Sequence, residues 1–295
     1  MTTFWAALER AITAALGRPV MMTPRQALSG GCINQAWRIG PDAQPFFVKT
    51  QANVDPELFA AEAAGLEELA ATATVRVPRP ICWGSSAGQA YLVLEYLPLG
   101  GNDAQAMEHL GRQLAALHSI AQPFFGWHRD NTLGTTPQPN TPCADWVHFW
   151  RTQRLGFQLA LAARNGYGGH LQRQGEALLT RLEGLFAGYQ PVPVLLHGDL
   201  WGGNAACTLE GTPIIFDPAC YYGDREADLA MTELFGGFPA RFYAAYREIL
   251  PLVSGHVQRR MLYNLYHVLN HLNLFGGGYR AQAEHMIAQF LVELA

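Results

Sequence analysis

His197-Gly198-Asp199-Leu200-Trp201-Gly202-Gly203-Asn204 is followed by the apolar run Pro213-Ile214-Ile215-Phe216, which ends in Asp217. A second apolar run, Val192 to Leu196 with Pro193 inside it, precedes the first stretch. Both runs predict short buried strands that present polar residues at their C-terminal ends. Asp199 and Asn204 stand five residues apart, and Asp217 supplies a second carboxylate further on. Transfer of a phosphoryl group to a hydroxyl needs a carboxylate that orients the hydroxyl and takes its proton. It also needs oxygen ligands for the metal ions that neutralise a triphosphate. Asp199 fits the base, and Asn204 and Asp217 fit magnesium ligands. A lone H-G-D or a single Asp after an apolar run would be an ordinary turn; three groups at matched spacing carry the reading.

The five-residue spacing resembles the kinase catalytic loop H-R-D-x-x-x-x-N, so a nucleotide site is expected upstream. Of twenty basic residues nineteen are Arg, and Lys49 is the one Lys. Codon bias explains the other positions but not the survivor. An ammonium is a compact point charge suited to a phosphate site, whereas a guanidinium is a wide planar fork. Lys49 closes the apolar strand Pro45-Phe46-Phe47-Val48, the position from which kinases reach the phosphates of ATP. Before it, Arg25 to Leu28 and Gln35 to Ile39 read as strands around Ser29-Gly30-Gly31-Cys32-Ile33-Asn34. Gly30 and Gly31 would let backbone N–H groups approach phosphate oxygens; a plain hairpin turn fits the same residues. Cys32 places a thiol in that loop, where oxidation would obstruct the nucleotide. After Lys49 a helix starts at Asp55-Pro56-Glu57 and carries Glu62 within apolar neighbours. A carboxylate there costs free energy unless paired, and Lys49 is the expected partner; a solvated helix face is the alternative.

Strands at Ile81 to Trp83 and Ala90 to Glu95 complete a small antiparallel sheet. The backbone of Glu95 to Leu97 could hold an adenine edge, which needs one donor and one acceptor, though an ordinary strand end reads the same way. With a boundary near Pro98, residues 1–97 form a nucleotide-binding lobe and residues 98–295 a mostly helical catalytic and acceptor-binding lobe. The expected fold is α+β and two-lobed. Helices are predicted at Thr3 to Leu16, Asp103 to Ser119, Asp145 to Asn165, His170 to Ala187, beyond Asp217, at Arg259 to Leu274 and at Tyr279 to Leu294. The Pro/Gly-rich segment Gln122 to Pro142, with Phe124, Phe125 and Trp127, reads as a packed surface loop, with a lid or acceptor role open. The acidic segment after Asp217, containing Asp224, Glu226 and Asp228, must be neutralised by Arg225, metal ions or backbone donors. His267 and His271 are one helical turn apart without an acidic third ligand, which favours packing or hydrogen bonding over zinc. His197 is assigned a structural hydrogen bond that shapes its loop.

The 295-residue chain has 49% hydrophobic residues and a formal charge of -4. That charge offers no basic field for nucleic acid. There is no apolar run long enough for a membrane span and no signal-peptide pattern, so a soluble cytoplasmic protein is expected. Five scattered cysteines with no C-x-x-C pair read as reduced thiols.

Ser29 to Asn34, Phe47-Val48-Lys49, Glu62-Ala63-Ala64-Gly65-Leu66, His197 to Asn204 and Phe216 to Phe238 together resemble the fructosamine kinase (ketosamine-3-kinase) family, over nearly the whole chain. H-G-D-L-W-x-G-N followed by F-D-P-A-x-Y-Y-G is specific to that family, whereas H-G-D and a later Asp are shared with aminoglycoside and choline kinases. The resemblance implies a protein-kinase-like fold, ATP with Mg2+, and phosphorylation of the sugar 3-hydroxyl of ketosamines, free or on glycated proteins. The unstable 3-phosphate then releases the amine. It also implies Asp199 as base, Asn204 and Asp217 as metal ligands, Lys49 as phosphate contact, Glu62 as its partner and Trp201 lining the sugar site. Asp217-Pro218-Ala219 replaces the Asp-Phe-Gly of protein kinases, so no activation-loop switch is expected. A kinase for another hydroxyl acceptor, of the aminoglycoside or choline type, and a non-catalytic nucleotide-binding module are the alternatives.

Overall fold

The structure is a computed structural model that describes residues 3–28, 34–101 and 103–294. Gly30, Gly31 and Cys32 lie outside the described residues. The chain divides into two compact units, 1–106 with 205–218, and 107–204 with 219–295. It leaves the second unit directly after Asn204 and returns directly after Pro218.

The first unit opens with α1 (Phe4–Leu16), capped by the Thr3 hydroxyl and closed by Gly17 in the left-handed conformation. Strands β1 (Arg25–Leu28), β2 (Gln35–Ile39) and β3 (Phe46–Ala52) follow, then α2 (Glu57–Ala71), β4 (Pro80–Ser86), β5 (Gln89–Glu95) and the short β6 (Leu99–Gly100). The first five strands make one antiparallel sheet in the order β1-β2-β3-β5-β4. Leu8 and Ile12 of α1 pack with Ile39, Phe46, Val48, Tyr91 and Val93 in a core on one face of it. Side chains alternate along a strand, so Val48 in that core puts Lys49 on the other face. There α2 buries Phe59, Leu66 and Leu69 and brings Glu62.

In the second unit, α3 (Ala104–Leu117), which begins just before the boundary, precedes the long Pro/Gly-rich segment. That segment contains a hairpin, β7 (Asn131–Leu133) and β8 (Thr136–Gln138), and it buries Phe125 and Trp127. The stretch expected as one helix from 145 to 165 is instead α4 (Trp146–Phe149), a π-helical turn Trp150–Leu155 and α5 (Gly156–Arg164). The π-turn carries Arg154, fully buried, with its guanidinium 4.1 Å from the Tyr221 ring centroid and 4.6 Å from that of Phe149. Arg154 donates to the Pro139 carbonyl at 2.6 Å and to Asn140 Oδ1 at 2.7 Å, so it pins the long segment down. Next come α6 (His170–Leu179), a 3-10 turn (Leu182–Phe186) and β9 (Val194–Leu196).

The excursion 205–218 into the first unit consists of β10 (Ala205–Thr208) and β11 (Pro213–Ile215), with β10 paired to both β11 and β6. Back in the second unit, β12 (Tyr221–Gly223) pairs with β9, followed by α7 (Glu226–Leu234), α8 (Ala240–Ile249), α9 (His256–Phe275) and α10 (Tyr279–Glu293). Helix α8 is not among the helices expected from the sequence. No helix of the described residues is long and apolar enough to cross a membrane.

His267 is buried in α9, and burial lowers its pKa to about 3. The unfolded chain binds that proton near pH 6.5 and the folded chain does not, so stability is lost as pH falls from about 6.5 toward 3. His118, also lowered by burial, acts in the same direction. In urea unfolding between pH 7 and 4, His267→Leu should reduce the slope of unfolding free energy against pH by up to about 1.4 kcal/mol per pH unit. A slope equal to the parent's would contradict this.

Candidate active site

In the first unit, Lys49 Nζ lies 2.7 Å from Glu62 Oε1 and 2.6 Å from Asp217 Oδ1. Three elements meet at this ammonium: strand β3, helix α2 and the segment after β11. Burial by itself would push the Lys49 pKa down, but the charges of Asp217 and Glu62 outweigh it and raise it above the ordinary value. Lys49 is therefore charged. Two carboxylates share one ammonium, which leaves a surplus of negative charge. Glu62 is the buried partner, while the Asp217 side chain is 42% exposed. Asp217 has φ 59°, the left-handed region, which costs a non-glycine residue on the order of 1 kcal/mol or more. A half-exposed carboxylate with excess negative charge beside it suits a hard cation.

In the second unit, residues 197–204 form a loop that is stapled to itself. The Asp199 N–H donates to His197 Nδ1 at 3.2 Å, and the Trp201 N–H to the Asp199 carbonyl at 3.2 Å. The Asn204 N–H donates to the Trp201 carbonyl at 2.9 Å. Asn204 Nδ2 donates to the Asp199 carbonyl at 2.9 Å and to Asp199 Oδ2 at 3.2 Å. With its amide nitrogen committed to Asp199, Asn204 keeps Oδ1 as its ligating end, again an oxygen suited to magnesium. Among the described residues no group of three His, Cys, Asp or Glu side chains forms a metal cage. Magnesium, which uses one or two protein oxygens plus phosphates and water, requires none. His271 Nδ1 donates to the His267 carbonyl at 2.8 Å.

The loop is shaped from beneath by Asp228 of α7. Its Oδ2 accepts the His197 N–H at 2.7 Å and its Oδ1 the Gly198 N–H at 2.8 Å. His118 Nε2 stands 3.4 Å from Oδ2, and His118 Nδ1 is 2.9 Å from the Tyr246 hydroxyl, which accepts from Arg225 at 3.2 Å. Burial would raise the Asp228 pKa, but the bond and charge of His118, the charge of His197 and the Gly198 N–H hold it below the ordinary value. The Arg225 bonds go to Tyr246 and to the Leu250 and Pro251 carbonyls. Backbone donors, not Arg225, thus neutralise Asp228 directly. Gly198 has φ 81°, and a Cβ there would lie 2.1 Å from the Ala219 carbonyl oxygen. Only glycine fits between the histidine and the aspartate.

Trp201 follows Asp199 in the loop and is partly exposed. Glu95 is bound through its side chain to Arg76 at 2.8 Å and to the Arg79 N–H at 2.6 Å, and its own N–H donates to the Arg79 carbonyl at 2.9 Å. Its N–H is thereby committed within the first unit. The roles of Asp228 and His118 escaped sequence reasoning. The available signal was the acidic segment Asp224, Glu226 and Asp228, for which backbone donors were one of the expected neutralisers.

A family model described as fructosamine kinase matches residues 4–293. The "probable ketoamine kinase" of Synechocystis is 49% identical over 97% of this chain and 97% of its own. The chloroplastic protein-ribulosamine 3-kinase of Arabidopsis thaliana is 43% identical over 93% of this chain and 85% of its own. A solved Haemophilus somnus protein assigned as a fructosamine-3-kinase superposes with TM-score 0.90 at 30% identity, over 98% of each chain. An aminoglycoside phosphotransferase in complex with ADP and hygromycin B superposes with TM-score 0.66 at 14% identity, over 97% of this chain and 98% of its own. At that identity it speaks for the fold, which is protein-kinase-like.

Asp228→Asn would turn one accepting oxygen toward the loop into a donor. It should cost about 1.5–3 kcal/mol in urea unfolding and lower kcat more than it raises KM for ATP. Gly198→Ala should lower turnover at least about 100-fold, because the clash with Ala219 displaces the loop by an ångström or more. Parent-like kinetics in either variant would refute this account of the loop.

Proposed function

The chain belongs to the fructosamine kinase family, and from that premise we propose an ATP-dependent kinase that phosphorylates the 3-hydroxyl of ketosamines, free or protein-bound. The observation that supports it most is the Lys49 ammonium held between Glu62 and Asp217. Such a group is positioned and charged for a triphosphate before any nucleotide arrives.

In this reading residues 1–97 serve the nucleotide and 98–295 the acceptor, with Asp217 supplied from the excursion 205–218 to the nucleotide side. Gly30, Gly31 and Cys32 cover the phosphates, and the Glu95 carbonyl with the Leu97 N–H takes the adenine edge. Lys49 contacts the phosphates, oriented by Glu62. Asn204 and Asp217 hold Mg2+, which when bound neutralises charge on the phosphate oxygens. Asp199 orients the sugar 3-hydroxyl and accepts its proton as the oxygen bonds to the γ-phosphorus and ADP leaves. Trp201 lines the sugar. His197 takes no proton; its Nδ1 accepts the Asp199 N–H. The ketosamine 3-phosphate decomposes and frees the amine, so the outcome is deglycation.

The test is ATP-dependent phosphorylation of ribulosamine and fructosamine side by side, with loss of the adduct followed. Asp199→Asn should lower turnover by about 10²–10⁴-fold and leave ATP binding nearly unchanged, because the base touches the acceptor and not the nucleotide. Parent-like turnover would remove Asp199 from its role. Consumption of ATP with an aminoglycoside or amino alcohol, and none with either ketosamine, would overturn the substrate.

A further inference from the structure

Arg154 is fully buried, yet its partners among the described residues are all neutral oxygens. Nη1 donates to the carbonyls of Pro139 at 2.6 Å and Gln153 at 3.0 Å, and Nη2 donates to Asn140 Oδ1 at 2.7 Å. Nε is buried without a partner among the described residues. The residue sits in the π-helical turn Trp150–Leu155, which separates α4 from α5. A buried charge without a counter-charge costs free energy, and so does an interrupted helix; an apolar residue of similar volume would avoid the first cost. Packing alone does not account for a guanidinium here.

What the guanidinium does is orient amides. It has donors only, so Asn140 must turn Oδ1 toward it. Asn140 Nδ2 then donates to the Arg129 carbonyl at 3.1 Å and to Asn131 Oδ1 at 3.0 Å. Asn131 Oδ1 also accepts from Gln138 Nε2 at 2.8 Å, which leaves Asn131 Nδ2 to donate to the Cys220 carbonyl at 2.7 Å. Gln138 Nε2 gives its other hydrogen to the Ala219 carbonyl at 3.1 Å, and its Oε1 accepts from the Tyr266 hydroxyl at 2.7 Å. Donors thus enter the lattice at Arg154 and Tyr266, and it ends on two backbone carbonyls. Turning any one amide over would set like against like. From Ala219 the connection reaches the catalytic loop. The Ala219 N–H donates to the His197 carbonyl at 2.8 Å, and the Ala219 carbonyl oxygen packs on Gly198, 2.1 Å from where a Cβ would be. His197 Nδ1 in turn accepts the Asp199 N–H.

We propose that Arg154 is a positioning residue for phosphoryl transfer: it sets the polarity of the Asn140, Asn131 and Gln138 lattice, which fixes Ala219 and, through it, the backbone that carries Asp199. It touches no reacting atom. This inference rests on Asp199 as the base in the kinase reading above.

The experiment measures kcat and KM with ATP and ribulosamine in the parent, Asn140→Asp, Arg154→Met and Arg154→Lys, with a thermal melt of each. Asn140→Asp is near-isosteric and gives Arg154 a counter-charge, but its second oxygen meets Asn131 Oδ1 and reverses the lattice. It should lower kcat about ten- to a hundred-fold while KM for ATP stays within about two-fold of the parent's and the fold is kept. Arg154→Met, which removes the donor end, should lose as much. Arg154→Lys is still donor-only and should recover kcat to within about five-fold of the parent. Parent-like kcat in Asn140→Asp, or equal losses in Arg154→Lys and Arg154→Met, overturns the positioning role. Should Arg154→Met fail to fold, the Asn140→Asp result decides alone. Asp199→Asn, assayed in parallel, keeps the two readings apart: parent-like turnover in it overturns the base and the role of Arg154 together.

Discussion

One buried ammonium ties together three elements of the first unit. Lys49 reaches Glu62 on α2 and Asp217 at the end of β11, so strand, helix and the returning segment 205–218 are tied at a single charge. Breaking a buried ion pair by deleting one partner costs about 3–5 kcal/mol, chiefly because the survivor is left uncompensated. Lys49 cannot be replaced by the arginine that fills every other basic position, since a planar fork does not share one compact charge between two converging carboxylates. The surplus negative charge has a direction. Glu62 is sealed and serves the ammonium alone, whereas Asp217 is half-exposed and can turn toward a cation.

The second unit uses a different device for its own acid. Asp228 is more deeply buried than Glu62, and it meets the N–H groups of His197 and Gly198 and the imidazole of His118 instead of an ammonium. A carboxylate held by hydrogen bonds stays ionised without an ammonium beside it and fixes the backbone that donates to it. The loop that presents Asp199 is therefore set by a residue that touches no reacting atom. Asp217 and Asp228 lie eleven positions apart and differ in function because one is left open and the other is closed over.

What could be read from the sequence was local. The spacing of Asp199, Asn204 and Asp217, the lone Lys49 at a strand end and Glu62 among apolar neighbours each declare their chemistry within a few residues. The strands around them came out nearly in place for the same reason. The π-turn at 150–155 escaped because its cause is distant: Arg154 is held by Pro139, Asn140 and the Tyr221 ring. Helix α8 is a ten-residue helix set between Pro239 and Pro251, too short a stretch for periodicity alone to declare. The transfer of 205–218 to the first unit escaped because it depends on β10 pairing with β6, more than a hundred residues earlier. Asp228 was visible as an acid needing neutralisation by Arg225, metal ions or backbone donors; the backbone donors are the ones that reach it, and which N–H groups they are carries no side-chain signature.

The same distinction explains how a single motif can narrow chemistry without specifying the substrate. Residues 197–204 hold Asp199 and Asn204 by bonds internal to the loop, so their arrangement travels with the motif. The loop adds one exposed ring, Trp201, and seats it on Gly203, where no side chain can lift it. Beyond that ring every aromatic neighbour comes from another segment: Phe235 after α7, His271 and Phe275 on α9, and Tyr279 on α10. Helix α7 also carries Asp228 to the backbone beneath the loop, so the segment that supplies the first of these rings is tied to the loop's own geometry. The loop's internal bonds are thus local to the motif, whereas the surroundings of Trp201 depend on segments the motif does not contain.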